Sequence, residues 1–289
     1  MTQAIERFKD YAVLMRLNRP IGSLLLLWPT LWALWFSAQG RPDLKTLVVF
    51  VVGVFLMRSA GCVINDYADR EFDPHVERTR TRPIAAGRVP PREALVLFGV
   101  LCLVAFVLAL TLNRLTILLA FAGAFLAATY PFLKRWTHLP QFYLGVAFGW
   151  GIPMAFAAQT DSLPPLAWTL LAANVCWAVA YDTAYAMADR PDDVRVGVKS
   201  TAILFGRYDR LMVGIFHAAT LALLAVAGFM ADRGMLYHGG LVVAATFAVR
   251  EQWLIRNRAR DACFHAFLDN NRFGAAVFLG LVLDYLVMQ

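Results

Sequence analysis

The chain has 289 residues, 60% of them hydrophobic and 16% charged, with a mean hydropathy of +0.57 and a formal net charge of +7. That is too apolar and too poor in charge for a soluble domain, so a soluble enzyme and a nucleic-acid-binding module are excluded, and an all-α integral membrane protein is expected. A hydrocarbon core about 30 Å thick takes roughly 20 apolar residues per helix, and runs of that length, parted by short polar joints, fill the sequence.

In chain order, residues 1–19, "MTQAIERFKDYAVLMRLNR", come first. They carry Glu6 and Asp10 and have no apolar h-region or A-x-A site, which separates them from a secretory signal or transit peptide. Ile5, Phe8, Tyr11, Ala12 and Met15 recur at intervals of three and four, the pattern of an amphipathic interfacial helix. Apolar runs follow near residues 20–38, 45–66, 93–112, 114–132, 140–158, 163–187, 210–230, 234–252 and 273–289, an expectation of about nine spans in one domain, 1–289. Only Asn113 and Arg114 part the third run from the fourth. They are split because one helix of the combined length fits no bilayer, even tilted. Cys62, Cys102, Cys176 and Cys263 lie far apart with no C-x-x-C, as packing residues do. Pro20, Pro29, Gly151 and Pro153 are expected to bend helices around a cavity.

Basic residues sort by joint. Apart from Arg58 inside the second run, only Arg41, Lys45, Arg114 and Arg233 fall on the first, third and later odd joints; every other Lys and Arg lies in the N-terminal arm or an even joint. The positive-inside rule then places the N-terminus and the even joints in the cytoplasm and leaves the C-terminus outside. The positive charge therefore occupies one membrane face, where anionic lipid alone would account for it.

The acidic residues crowd into two of the same joints. In "NDYADREFD", Asn65, Asp69 and Asp73 are four apart, about 40° per step on a helix, and predict one polar stripe. In "YDTAYAMADRPDDVRVGVKST", Asp182 and Asp189 are two turns apart and Asp193 follows by four, while Asp192 points elsewhere. Carboxylates at such depth face a cavity or something positive, and Mg²⁺ is a natural partner because it takes oxygen ligands from one or two carboxylates plus phosphate. Arginines among carboxylates repel that cation unless an anion lies between. Diphosphate with Mg²⁺ satisfies both, with Arg70, Arg78, Arg82, Lys134, Arg135 and Lys199 as candidate phosphate donors. The alternative is that both clusters are salt-bridged helix ends.

These residues resemble the two aspartate-rich motifs of the UbiA-type intramembrane aromatic prenyltransferases. "MRLNRPIGSLLLLWPTLWALW" and "YPFLKRWTHLPQFYLGVAFGWGIPMAFAA" are similar to the 4-hydroxybenzoate polyprenyltransferase branch. The resemblance implies nine transmembrane helices around a central cavity, a cytoplasmic cap carrying both motifs, and a lateral opening for the isoprenoid tail. It implies Mg²⁺ as cofactor, and polyprenyl diphosphate and 4-hydroxybenzoate as substrates in ubiquinone biosynthesis. By position, Asn65, Asp66, Asp69 and Asp73 form a first metal-diphosphate site and Asp189 and Asp193 a second. Asp182 supports the second or sits by the acceptor, and Arg135 and Lys199 match the family's basic residues. Pro191 departs from the family pattern. It either breaks the helix at Arg190, separating Asp189 from Asp193, or opens a new helix at its first turn.

The implied reaction ionises the allylic C–O bond and lets the carbon ortho to the phenol hydroxyl attack the cation, with water excluded so that the cation is not quenched. Trp28, Trp32, Trp150 and Trp177 are candidates to face the cation, or plain packing residues. Arg58 pairs either with an acid inside the bundle or with the acceptor's carboxylate. Two alternatives stay open: another quinone precursor or haem as acceptor, and a secondary transporter, which would instead place its acids near the midplane.

Overall fold

The computed structural model describes residues 2–76 and 79–288 and, among them, contains helices and no strands. Helix α1 (Thr2–Leu14) lies in the N-terminal arm; α2 (Ile21–Ser37) and α3 (Leu44–Ala68) follow. The Asp43 side chain accepts from Thr46 N–H at 2.8 Å and so starts α3. Helices α4 (Pro91–Ala109) and α5 (Arg114–Thr129) are separate because Asn113 caps α5, its Oδ1 accepting from Thr116 N–H at 3.0 Å. The two-residue joint read from the sequence is thus a built helix start.

The run at 140–158 is two helices, α6 (Pro140–Gly149) and α7 (Gly151–Thr160). Pro153 has no N–H to give the Gly149 carbonyl, so the ladder breaks one turn before it. Glycines let α6 press against the later helix that carries Val175, Pro165–Val196: a Cβ on Gly145 would lie 2.9 Å from Val175 Cα. Helix α8 (Pro165–Val196) is longer than its predicted run, and Pro191 lies inside it. The short α9 (Thr201–Phe205) leads into α10 (Asp209–Met230) and α11 (Met235–Leu254). Helix α12 (Arg260–Val287) starts thirteen residues before its predicted 273, because its first turns carry Asp261, Asp269, Asn270, Asn271 and Arg272, which lower the hydropathy without ending the helix.

Five segments are long and apolar enough to cross a membrane by length and composition: Leu44–Ala68, Pro91–Ala109, Arg114–Arg135, Thr201–Met230 and Arg260–Val287; Ile21–Ser37 is a shorter apolar helix. The main core joins α2, α7, α8, α10, α11 and α12 around Trp32, Trp177, Tyr237 and Phe273. Polar tips are anchored inside it: Trp177 Nε1 donates to Asn270 Oδ1 at 2.7 Å and Trp32 Nε1 to the Gly274 carbonyl at 3.2 Å. Large apolar side chains such as Val96, Leu103, Phe121, Phe125, Val242 and Val249 are exposed on the outer faces, as in a bundle whose solvent is lipid. In α1, Tyr11 and Leu14 pack on a smaller cluster with α3 and α4, whereas Ile5 and Phe8 face outward.

Candidate active site

The first acidic cluster forms where α3 ends. The helix stops at Ala68, so the predicted stripe is not one helix; Asp69 is the C-cap and Asp73 opens a 3₁₀ turn, Asp73–His75. The three residues still align, because Asp69 N–H donates to the Asn65 carbonyl at 2.9 Å and Asp73 N–H to the Asp69 carbonyl at 2.8 Å. All three carboxylates, Asp66, Asp69 and Asp73, are buried. Arg16 Nη2 reaches both oxygens of Asp66 at 2.8 and 2.9 Å, and Arg82 Nη1 bridges Asp66 at 3.0 Å and Asp73 at 2.9 Å. Lys134 pairs with Asp69 Oδ2, to which Asn65 Nδ2 also donates at 3.2 Å. The other oxygen, Asp69 Oδ1, is buried without a hydrogen-bond partner.

The second cluster lies on the C-terminal half of α8. Both sequence alternatives for Pro191 are corrected: the residue neither breaks the helix nor starts a new one, since α8 runs through it to Val196. Its ring is on the exposed side of α8, away from Asp189 and Asp193, so one carbonyl loses its partner and the turn survives. Gln141 Oε1 accepts from Thr201 N–H at 3.1 Å, which ties α6 to the start of α9.

Both clusters open on one cavity of ≈ 420 Å³. Asn65, Asp66, Asp69 and Asp73 line it from one side and Asp182, Asp189 and Asp193 from the other, with Arg58, Arg82, Lys134 and Lys199 between. A second cavity of ≈ 180 Å³, walled by apolar residues of α2 to α7, adjoins it, and Arg58, Tyr130 and Phe148 line both. Arg58 makes no ion pair among the described residues; its guanidinium stands 5.7 Å from the Phe148 ring centroid. The reading of Arg58 as half of an ion pair with an acid of the bundle therefore finds no partner there.

Some sequence candidates are not brought to the cavity. Arg70 stacks on Tyr67 and pairs with Glu71 at 3.0 Å on the surface. Arg135 donates to the Ala68 carbonyl and lies against the Phe72 and Phe132 rings, so it holds the end of α3 rather than facing the cavity. Arg78 lies outside the described residues. Trp28, Trp32 and Trp177 are packing anchors, while Trp150 lines the apolar cavity. Sequence reasoning missed Arg16, Gln141, Tyr130, Tyr181 and Tyr185, which do line the polar cavity. Arg16 counted only as a topology charge, and the turn that aims it, with φ +59°, left no sequence signal.

Among the described residues, no three His, Cys, Asp or Glu side chains form a ready metal cage. The donor set nonetheless fits Mg²⁺, which is commonly held by one or two carboxylates plus substrate phosphates, and Asp69 Oδ1 is a buried hard donor without another partner. Burial pushes the Asp73 carboxyl up to about 6, against the pull of Arg82.

The model of the UbiA prenyltransferase family matches residues 26–279. The 4-hydroxybenzoate octaprenyltransferase of Methylococcus capsulatus (strain Bath) is 64% identical over 280 residues, covering 97% of this chain and 96% of that protein. The enzyme of the same name from Alkalilimnicola ehrlichii is 60% identical over 279 residues, 96% of this chain and 95% of that one. Among solved structures, the apo UbiA homologue from Aeropyrum pernix K1 superposes with a TM-score of 0.81 at 24% identity, covering 91% of this chain and 97% of that one. The UbiA homologue from Archaeoglobus fulgidus bound to GPP and Mg²⁺ gives 0.73 at 18%, covering 96% and 99%. At these identities the two structures speak for the fold.

Proposed function

This chain belongs to the UbiA prenyltransferase family, and from that premise we propose that it transfers a polyprenyl group from polyprenyl diphosphate to the carbon ortho to the hydroxyl of 4-hydroxybenzoate, in ubiquinone biosynthesis. The observation that carries the reading is that two acidic clusters from distant parts of the chain line one cavity, mixed with basic side chains and adjoining an apolar one. A ligand with a diphosphate head and a hydrocarbon tail matches that division.

Asn65, Asp69 and Asp73 on one side, and Asp189 and Asp193 on the other, would hold Mg²⁺. When bound, Mg²⁺ neutralises charge on the leaving diphosphate. Lys134, Arg82 and Lys199 donate to the diphosphate oxygens as the C–O bond breaks. Lys134 and Arg82 pair with Asp69 and Asp73, which holds both cations at the cavity wall where the diphosphate would lie. Asp66, gripped by Arg16 and Arg82, fixes the orientation of the first cluster. Arg135 acts beneath that site by holding the carbonyl at the end of α3.

Arg58, which makes no ion pair among the described residues, receives the acceptor's carboxylate at the junction of the two cavities. Asp182, which lines the polar cavity from the α8 side, stands by the phenol. Tyr130, Tyr181, Tyr185, Phe148 and Phe267 surround this region, and their rings exclude water and face the allylic cation.

The site lies at the cytoplasmic end of a nine-span bundle in a bacterial inner membrane. The cap consists of the segments after α3, α5 and α8, the N-terminus is inside and the C-terminus is periplasmic; α1 rests in the interface with Ile5 and Phe8 toward lipid. The transporter alternative falls with the family assignment. The test is to incubate membranes containing the chain with polyprenyl diphosphate, 4-hydroxybenzoate and Mg²⁺, alongside other quinone precursors and haem as competing acceptors. Prenylated 4-hydroxybenzoate, abolished by EDTA, is expected. Full activity in EDTA, or transfer only to another acceptor, would overturn the reading.

A further inference from the structure

The second acidic cluster sits on the turn of α8 that contains Pro191. A proline there removes the hydrogen bond to the Met187 carbonyl, and its ring pushes that carbonyl away, so the turn is weakened where two carboxylates must be aimed. Something outside the helix has to fix its rotation.

Two anchors do so. With 100° per residue, Arg190 and Asp192 project about 80° to either side of the mean direction of Asp189 and Asp193. Arg190 is tied to the start of α10: its guanidinium donates to the Ala202 carbonyl, to the Gly206 carbonyl at 3.0 Å, and pairs with Asp209 at 3.0 Å. Asp209 is fully buried and also accepts from Arg258 at 2.7 Å and from Arg210 N–H at 2.6 Å. On the other side Asp192 pairs with Arg260, at the start of α12. The Arg260 Nε also donates to the Ala188 carbonyl at 2.9 Å, in the turn whose ladder the proline interrupts.

We propose that Asp209 and Arg260 are positioning residues for the second cluster: through Arg190 and Asp192 they fix the rotation of the Pro191 turn so that Asp189 and Asp193 face the cavity. Neither touches the cavity itself. The inference rests on the reading of Asp189 and Asp193 as the second half of the Mg²⁺–diphosphate site. It also accounts for a proline in a motif otherwise polar: the turn is held from both flanks and does not need its own hydrogen bond.

The test measures prenyl transfer by the purified full chain in detergent, varying Mg²⁺, polyprenyl diphosphate and 4-hydroxybenzoate in turn. Arg260→Ala is expected to raise half-saturating Mg²⁺ and the diphosphate KM by at least about tenfold, the scale of a lost supporting contact behind a metal ligand. The KM for 4-hydroxybenzoate should stay within about twofold. Arg260→Lys should recover part of the loss, and Asp192→Asn, a milder change in case Arg260→Ala does not fold, should reproduce part of it. The decisive variant is Pro191→Ala combined with Arg260→Ala: restoring the backbone hydrogen bond should return most of the lost Mg²⁺ affinity. An additive double variant, or equal loss in all three KM values, overturns the proposal. Asp189→Asn separates the two readings: if it is inactive while Arg260→Ala and Asp192→Asn are normal, only the positioning role falls, and if it is fully active, the half-site reading falls and the positioning role with it.

Discussion

Lys134 and Asp69, 65 residues apart in the chain, form an ion pair through Asp69 Oδ2, while Asp69 Oδ1 stays buried and unpartnered. One carboxylate thus has one oxygen committed to a cation and the other available to a metal. Asp69→Asn keeps the shape and removes the charge. Prenyl transfer at saturating diphosphate is expected to fall at least about 100-fold, with half-saturating Mg²⁺ raised. Steady-state rates across a Mg²⁺ series check this, and a wild-type rate would remove Asp69 from the metal set.

Arg58 predicts a split between the substrates. A charge-assisted hydrogen bond to a carboxylate contributes about 1.5–3 kcal/mol, and 1.4 kcal/mol is a factor of ten in affinity. Arg58→Met should raise the KM for 4-hydroxybenzoate by roughly 10- to 100-fold and leave the diphosphate KM near wild type. An unchanged acceptor KM and turnover would exclude the carboxylate role.

The raised carboxyl of Asp73, at about 6, predicts the pH dependence of metal use. Its proton returns as pH falls through about 6, and the protonated acid does not hold Mg²⁺. Half-saturating Mg²⁺ should be flat above pH 7 and climb toward about tenfold per unit below pH 6. In Asp73→Asn the climb attributable to this group should vanish, which a Mg²⁺ titration at several pH values reads directly.

Packing of α11 on α12 gives a prediction about stability. A Cβ on Gly240 would lie 2.8 Å from Gly280 Cα and 2.9 Å from the Ala276 carbonyl, both backbone, whereas one on Gly239 meets nothing within 4 Å. Gly240→Ala should lose about 1–3 kcal/mol by overpacking, seen as a lower thermal midpoint in detergent, while Gly239→Ala should leave it unchanged.

The sequence made the acidic clusters legible because spacing by four survives a change of backbone: Asn65, Asp69 and Asp73 stay aligned by i+4 hydrogen bonds although α3 ends between them. Hydropathy found the apolar runs and missed the start of α12, where Asn270 bonds Trp177 and Glu251 inside the bundle and looks, in sequence, like a loop. Pro191 misled for a similar reason. Its local preference is overridden by anchors from residues 209 and 260, which no local pattern encodes. Arg135 and Arg16 show the same limit: both are basic residues near the site, and only the fold tells that one holds a helix end and the other a cavity-lining carboxylate.

The most direct measurement is an experimental structure of the chain with Mg²⁺ and a non-hydrolysable prenyl thiodiphosphate. The account predicts one diphosphate between the clusters, with metal about 2.0–2.1 Å from oxygens of Asp69 or Asp73 and of Asp189 or Asp193. A diphosphate contacted by only one cluster, or bound outside the shared cavity, would contradict it.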